Sequence, residues 1–168
     1  MPRLTPRERA DFLAERGVLM RVAVARADGS PLVTPLWFIH EDDAIYFTPR
    51  ARSEWYACLK RDPRVALSID EQPLPYRKVI VEGAAELVHD LGADAQWREL
   101  YQRIAQRYVP PDAAAAYIHT TIDQPRALFR VSLEHANVRT WRMPIGAESG
   151  DGIWHQRYYA AGSRLKRE

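Results

Sequence analysis

The chain contains a single cysteine, Cys58, and no long apolar run, and these two absences exclude several classes of protein. One thiol cannot form an intrachain disulfide, so a reducing compartment is expected. No stretch approaches the roughly 18 consecutive apolar residues of a membrane helix, and the N-terminal residues lack the apolar part of a signal peptide. We therefore expect a cytoplasmic protein with no membrane partner.

An excess of charge of either sign is also missing. Basic and acidic side chains number 24 and 22, so the formal net charge is only +2, which does not favour nucleic acid as a partner. The five histidines are scattered without the spacing of metal ligands, and we expect no metal site. No nucleophile elbow and no candidate general base stand out, so no catalytic side chain is predicted. The length of 168 residues suits one domain with a buried core.

Short apolar and β-branched segments, separated by turn residues, dominate the first half of the chain. They predict strands over residues 18–25, 32–39, 44–48, 65–69 and 78–89, with two more over 127–132 and 138–143. Asp28-Gly29 is typical of a type I′ hairpin turn, in which both central residues have positive φ. Gly83 is expected to form a bulge that lets its long strand bend around a barrel.

Four helices are predicted around these strands. They cover residues 6–16, 54–60, 97–108 and 113–118. The first begins with a capping box, in which the side chains of Thr5 and Glu8 each accept from the other's backbone N–H, and it ends at Gly17. Ser53 and Asp112 are the expected N-caps of the second and fourth helices.

These elements place one domain over residues 1–143 and leave a C-terminal tail over 144–168. The tail contains Gly, Ser and Asp together with Trp154, Tyr158 and Tyr159. Because large aromatic side chains favour burial, we expect the tail to dock on the domain or on a partner subunit, where it could cover a groove.

Four segments of the sequence carry a resemblance to a known family. They read ARADGSPLVTPLWF, then AIYFT, then RS followed by LKRDPRVAL, then VIVEGAAEL. In the order and spacing of these segments the chain resembles the split-barrel flavin-binding family that includes pyridoxamine 5′-phosphate oxidase and its deazaflavin-dependent relatives. The resemblance implies a mainly β, α+β fold, namely a six-stranded antiparallel split barrel with peripheral helices. It also implies a homodimer that binds a deazaflavin (coenzyme factor 420) or FMN between its subunits and acts on a small-molecule substrate.

The same resemblance implies which residues bind the cofactor. Its phosphate would be held near the start of the second helix, and its ring would lie along the second strand. The phosphate residues would be Thr48, Arg50, Arg52 and Ser53, and the ring residues Thr34, Pro35, Leu36 and Trp37. The N-terminus of the helix after Ser53 would add a favourable dipole. Pro35 fits an edge or ligand-facing position, because proline has no N–H to donate to a neighbouring strand.

One departure from the family pattern affects the phosphate site. Members commonly continue the loop as Ser-Arg-Lys, whereas this chain has Ser53, Glu54 and Trp55. An indole replaces a phosphate-binding cation, and an acid lies beside the expected phosphate. Trp55 is therefore a candidate to stack on a ring, or to pack in the core, and the choice between deazaflavin and FMN stays open.

Three functions are compatible with these features. A flavin-type cofactor accepts and donates hydride at its own ring, so an oxidoreductase needs no catalytic side chain here. A non-catalytic module that binds or stores the cofactor is the alternative favoured by the missing lysine. A haem-binding protein of the same fold would need only one axial histidine.

Overall fold

The computed structural model describes residues 2–148, which form nine strands and four α-helices. In chain order these are α1 (Pro6–Ala14), β1 (Met20–Ala25), β2 (Pro31–Leu36), β3 (Ile39–Glu41), β4 (Ala44–Phe47), α2 (Glu54–Arg61), β5 (Arg64–Asp70), β6 (Lys78–Ala84), β7 (Glu86–His89), α3 (Arg98–Gln106), α4 (Pro111–Thr120), β8 (Leu128–Ser132) and β9 (Asn137–Trp141). One sheet has the strand order β2-β1-β5-β6-β9 and the other β3-β4-β8-β7. The predicted mainly β, α+β class is confirmed, with all paired strands antiparallel.

The nine strands exceed both the six implied by the resemblance and the seven predicted from the sequence. The excess over seven arises because two predicted strands each divide between the sheets. The strand predicted over 32–39 ends at Leu36, and the chain then crosses at Trp37 and Phe38 to begin β3. The strand predicted over 78–89 breaks at Ala85, whose N–H donates to the carbonyl of Pro63. An apolar pattern continues unchanged through both crossings, so the sequence alone does not mark them.

Gly83 is not the bulge that was predicted. Gly83 pairs with Val65 in the uninterrupted β5–β6 ladder. The irregularity in strand pairing lies in β7, between Leu87 and His89. A Cβ atom on Gly83 would lie 3.1 Å from the Cβ of Ala136, which is closer than an ordinary van der Waals contact. A side chain at position 83 would require Ala136 to move, so the close approach of Ala136 favours glycine here.

The Asp-Gly turn between β1 and β2 is not the predicted type I′ turn, and that geometry occurs at the turn between β3 and β4. In the β1–β2 turn only Gly29 has positive φ, and the N–H of Arg26 donates to the carbonyl of Ser30, which gives a three-residue loop. Asp42 and Asp43 join β3 to β4, and both have positive φ, at 49° and 51°. The type I′ geometry therefore occurs at an Asp-Asp pair, since aspartate tolerates the left-handed region better than most residues.

The main core lies between the two sheets. It takes alternate residues of β1, β5 and β6 from one sheet and residues of β4 and β8 from the other, as expected for strands with one inward face. A second cluster covers the outer side of the four-stranded sheet, where Trp97, Tyr101 and Ile118 from the α3–α4 layer pack on Leu128. Cys58 is buried in the main core.

The local helix signals agree with the structure at most positions. Thr5 and Glu8 form the predicted capping box, with N···O distances of 3.2 Å and 2.7 Å. The N-cap of α4 is Pro110 rather than Asp112, and α4 extends to Thr120. No helix in residues 2–148 is long and apolar enough to cross a membrane. The tail residues Trp154, Tyr158 and Tyr159 lie outside the described residues.

Candidate functional site

One cavity brings together most of the residues predicted to bind a cofactor. It has a volume of about 590 Å³, which is within the roughly 300–1,000 Å³ typical of small-molecule sites. Eight of the nine predicted residues line it, namely Thr34, Pro35, Leu36, Trp37, Thr48, Arg50, Ser53 and Trp55. They come from β2, the crossing after it, the end of β4 and the start of α2, so the fold assembles segments that are distant in sequence.

Arg52 is the predicted residue that does not line this cavity. It is exposed and lines a neighbouring cavity of about 520 Å³ together with Arg50, Asp123 and Gln124. Arg50 lines both cavities. Of Arg50 and Arg52, only Arg50 therefore shares a cavity with β2.

The segment predicted to line a cofactor ring is an edge strand. β2 pairs with β1 from Pro31 to Leu36 and has no second neighbour in the described sheet. Alternate residues of an edge strand direct their N–H and C=O groups away from the ladder. Pro35 is compatible with this edge, and the free backbone groups of its neighbours are available to a planar heterocycle.

Two tryptophans form aromatic walls of the cavity. Trp37 stacks on Tyr108 with ring centroids 5.1 Å apart and planes inclined by 3°, and it meets Tyr117 edge to face at 5.4 Å. Trp55 packs at a tilt on the buried ring of Phe47, with centroids 6.0 Å apart. Trp55 therefore packs against the core and also lines the cavity, and stacking on a cofactor ring stays a prediction.

The start of α2 has backbone N–H groups that donate to no N-cap side chain. Ser53 occupies the N-cap position, but its hydroxyl donates to the carbonyl of Arg50 at 2.6 Å and does not cap the helix. The first N–H groups of α2 therefore have no acceptor from that side chain, and the helix dipole favours a negative group in front of them. Glu54, the acid next to this end, pairs with Arg26 at 2.6 Å, so a cation is already beside it.

Arg50 also belongs to a cationic cluster in the cavity wall. Arg50 and Arg126 are paired in an isolated antiparallel bridge, and their guanidinium groups both donate to the hydroxyl oxygen of Tyr117, at 2.8 Å and 3.0 Å. Neither arginine forms an ion pair with a carboxylate of residues 2–148, although Arg126 is only 6% exposed. The guanidinium of Arg126 also lies over the ring of Tyr101, 4.7 Å from its centroid.

The pKa values of the two tyrosines in this cluster shift in opposite directions. Burial raises the pKa of Tyr101, so its hydroxyl stays protonated. Burial alone would also raise the pKa of Tyr117, but the nearby Tyr101 hydroxyl and the positive charges of Arg126 and Arg50 together lower it below its usual value. The cluster is thus a strongly electropositive part of the cavity wall.

Sequence reasoning missed four residues that line the cavity: Leu19, Tyr101, Tyr117 and Arg126. Tyr101 belongs to an apolar stripe that predicts helix packing, which it also performs. Arg126 precedes a buried strand without any motif around it, so its place beside Arg50 follows from the tertiary structure alone.

The histidines within residues 2–148 have no part in this cavity. None of the residues that line it in the described chain is a histidine, and no cluster of three potential metal ligands exists within residues 2–148. His40 is half-buried beside Asp43, with 3.8 Å between imidazole Nε2 and the carboxylate. Burial is the main cause that lowers the pKa of this imidazole.

Comparisons with known structures agree with this architecture. The conserved hypothetical protein Rv2991 from Mycobacterium tuberculosis is 24% identical, with a TM-score of 0.65, over 88% of this chain and 94% of that chain. A FAD-binding protein from Mesorhizobium loti is also 24% identical, with a TM-score of 0.58, over 83% of this chain and 95% of that one. A solved structure named F420 reductase is 27% identical, with a TM-score of 0.53, over 78% of this chain and 92% of that one.

Family membership follows from the sequence match. No curated protein matches the chain. Residues 5–141, which include every strand and helix of the structure, match the family described as pyridoxamine 5′-phosphate oxidase. Of the segments that first suggested this resemblance, those of β2, the end of β4 and the loop before α2 line the cavity, and the others form α2, β5, β6 and β7. The chain belongs to the pyridoxamine 5′-phosphate oxidase family.

Proposed function

We propose that this protein is an oxidoreductase that transfers hydride between a bound flavin-type cofactor and a small organic molecule. The observation that carries the proposal is the cavity, in which an edge strand, two indoles and an arginine without a carboxylate partner in residues 2–148 meet the uncapped start of α2. A flavin-type cofactor has a planar ring, a polar pyrimidine edge and a phosphate, and each finds a suitable partner here. When bound, such a cofactor supplies the hydride chemistry at its own ring.

The chain's residues would then bind and orient. Arg50 and the first N–H groups of α2 hold the phosphate, and the free edge of β2 from Thr34 to Leu36 hydrogen-bonds the polar side of the ring. Trp37 covers the ring and is itself held flat against Tyr108. Trp55 takes the position where relatives have a lysine and adds apolar contact in place of charge. No side-chain acid is required among these residues.

A deazaflavin is the preferred cofactor and FMN the alternative. The F420 reductase is the one of the three solved structures above whose identity exceeds a quarter, and its name supports a deazaflavin. The replacement of lysine by Trp55 removes a charge that the phosphate of FMN would use. No histidine within residues 2–148 lines this cavity, so the cavity offers no axial histidine to haem.

We also propose that the protein is a homodimer whose second subunit completes the cavity. The outward face of the five-stranded sheet carries Val33, which is 59% exposed, directly beside Ala23, and Ala23 is in turn paired with Ala66. These small apolar side chains border the same edge strand that lines the cavity. A second copy packed on this face would cover Val33 and lie next to the cofactor.

Visible absorption and titration calorimetry test the proposal together. The protein should bind a deazaflavin, with a band near 420 nm, or FMN, with one near 450 nm, and exchange hydride with a reductant. Binding without exchange would favour the storage module, and binding of neither cofactor would refute the proposal. Arg50→Ala should weaken binding by about 1.5–3 kcal/mol, roughly ten- to a hundredfold.

Arg52→Ala distinguishes the two arginines predicted from the sequence. Because Arg52 lines the neighbouring cavity, we expect its loss to weaken cofactor binding less than the loss of Arg50. Arg7→Ala is the matched control, since Arg7 is 93% exposed on α1. Equal affinity in the Arg50, Arg52 and control variants would place the phosphate elsewhere.

A further inference from the structure

The cluster of Arg50, Arg126, Tyr101 and Tyr117 contains more hydrogen-bond donors than acceptors. Both guanidinium groups converge on one phenol oxygen, and no carboxylate of residues 2–148 pairs with either of them. The Nε of Arg126 is buried and has no hydrogen-bond partner in the described chain, and the Tyr117 hydroxyl lies near the buried Tyr101 hydroxyl but not in ordinary hydrogen-bond geometry with it. Buried donors are nearly always satisfied, so this wall of the cavity lacks an acceptor that the protein itself does not provide.

Arg107, a second buried arginine, has a structural role and serves as a comparison for Arg126. Arg107 is 9% exposed and donates to three backbone carbonyls, those of Leu13, Glu15 and Phe38, at 2.6–2.9 Å. Its Nε, like that of Arg126, has no partner in the described chain, but both of its terminal nitrogens donate to carbonyls. Arg126 is more deeply buried, yet its side chain donates to no carbonyl and only to the Tyr117 hydroxyl. The rings under it contribute cation–π attraction, but they do not accept its hydrogen bonds in the plane of the guanidinium.

The main chain of Arg126 is nevertheless fixed. Its backbone N–H donates to the carboxylate of Asp94 at 2.9 Å, and Ala127, the next residue, donates to the carbonyl of Pro49. Tyr117 is held by the two arginines and touches Trp37 edge to face. A cationic group is thus held in place next to the segment that lines the cofactor ring, where a substrate has to lie for hydride transfer.

We propose that Arg126, with the hydroxyls of Tyr101 and Tyr117, binds an oxyanion, a carboxylate or a phosphate, carried by the substrate, while Arg50 stays with the cofactor phosphate. The inference deepens the proposed function and rests on it, because the substrate must share the cavity with the cofactor. Arg126 offers the fork of donors that suits a two-oxygen acceptor, and Tyr101 adds a protonated hydroxyl. The cluster would select anionic substrates over neutral ones of the same shape and orient them toward the ring.

Calorimetric titration of the cofactor-loaded protein tests this with three probes. Benzoate and inorganic phosphate represent the two oxyanions, and benzamide is the neutral counterpart of benzoate. The wild type should bind at least one oxyanion, and it should bind benzoate in preference to benzamide. In Arg126→Gln the oxyanion affinity should fall by about tenfold or more, and the preference over benzamide should disappear. Arg139→Gln is the control, because Arg139 is 62% exposed on β9 and its loss changes the net charge equally.

The outcomes separate this site from the cofactor site. Unchanged oxyanion affinity in Arg126→Gln would overturn the inference, and so would a loss of cofactor affinity as large as that of Arg50→Ala. If Arg126→Gln does not fold, judged by its thermal transition, Tyr117→Phe removes one hydroxyl, and oxyanion affinity equal to the wild type would count against the site. If the wild type binds neither cofactor while Arg126→Gln still abolishes oxyanion binding, the proposed function fails and the anion site stands.

Discussion

The hydroxyl of Tyr108 connects the helical layer to the segment before β1 and to the crossing after β2. The hydroxyl accepts from the N–H of Phe38 at 3.1 Å and donates to the carbonyl of Val18 at 2.9 Å. Burial raises the pKa of this phenol, so it remains a donor at physiological pH. The ring of the same residue stacks on Trp37, and a single side chain therefore fixes both the crossing between the sheets and one wall of the cavity.

Tyr108→Phe should destabilise the protein while leaving its shape nearly unchanged. The substitution leaves the N–H of Phe38 and the carbonyl of Val18 without their partner, which costs about 1–3 kcal/mol for buried polar groups. Tyr76→Phe is the matched control, because Tyr76 is 43% exposed and its hydroxyl makes no hydrogen bond within residues 2–148. Urea unfolding measures both variants. A change of less than about 0.5 kcal/mol in Tyr108→Phe would show that water replaces the lost hydroxyl.

At the scale of elements, Arg77 connects the end of α1 to the β5–β6 loop. Its guanidinium forms paired hydrogen bonds with Glu15, and a second pair with Glu71, whose side chain is 8% exposed. The same guanidinium lies over the ring of Phe12, 4.6 Å from its centroid. Hydrogen bonds from Arg77 hold the pKa of Glu71 below its usual value.

Glu71→Gln should therefore make stability less dependent on acid pH. Because the pKa of Glu71 is lower in the folded than in the unfolded state, its contribution is present above the unfolded pKa, about 4.3, and is lost as the pH falls through the folded value. At pH 7 we expect a loss of about 1–3 kcal/mol, shrinking as the pH drops below 4. Urea unfolding from pH 7 to pH 3 measures it, with exposed Glu134→Gln as control. A constant difference across that range would contradict the assignment.

The contact between Gly83 and Ala136 gives a second prediction for the elements. Gly83→Val should destabilise the protein by about 1–3 kcal/mol, because its side chain would overlap Ala136 and approach Val131. Adding Ala136→Gly should recover part of the loss, since it removes the closest atom. Ala84→Val, at an exposed position of the same strand, is the control. Thermal unfolding compares the variants, and a neutral Gly83→Val would show that the chain around Ala136 moves easily.

For the whole molecule, the proposed dimer predicts that the cofactor site depends on the subunit interface. Light scattering at micromolar concentration should give twice the 19.3 kDa mass of the chain. Val33→Asp should lower that mass to one subunit and weaken cofactor binding, because it buries a charge in the apolar sheet face. Val88→Asp, on the other sheet and 37% exposed, should leave the dimer intact. A monomeric wild type would refute the dimer and leave the cavity's own residues to bind the cofactor.

Local signals in the sequence were sufficient for much of the fold. The capping box of Thr5 and Glu8 acts within one turn, and the apolar period from Trp97 onward acts within one helix, so both were predictable from neighbours in sequence. The family pattern likewise located the cavity segments around Pro35 and Ser53. Such features depend on residues a few positions apart, and their physics does not require the rest of the chain.

The tertiary structure alone decided which sheet a segment joins and which charges meet. The pattern of a strand is the same on either side of the crossings at Trp37 and Ala85, because each sheet buries one face against the same core. Arg50 and Arg126 are 76 positions apart and become neighbours only when the loop before α2 pairs with the approach to β8. A lone arginine carries no local signal for its partner, since long-range electrostatic neighbours are set by topology.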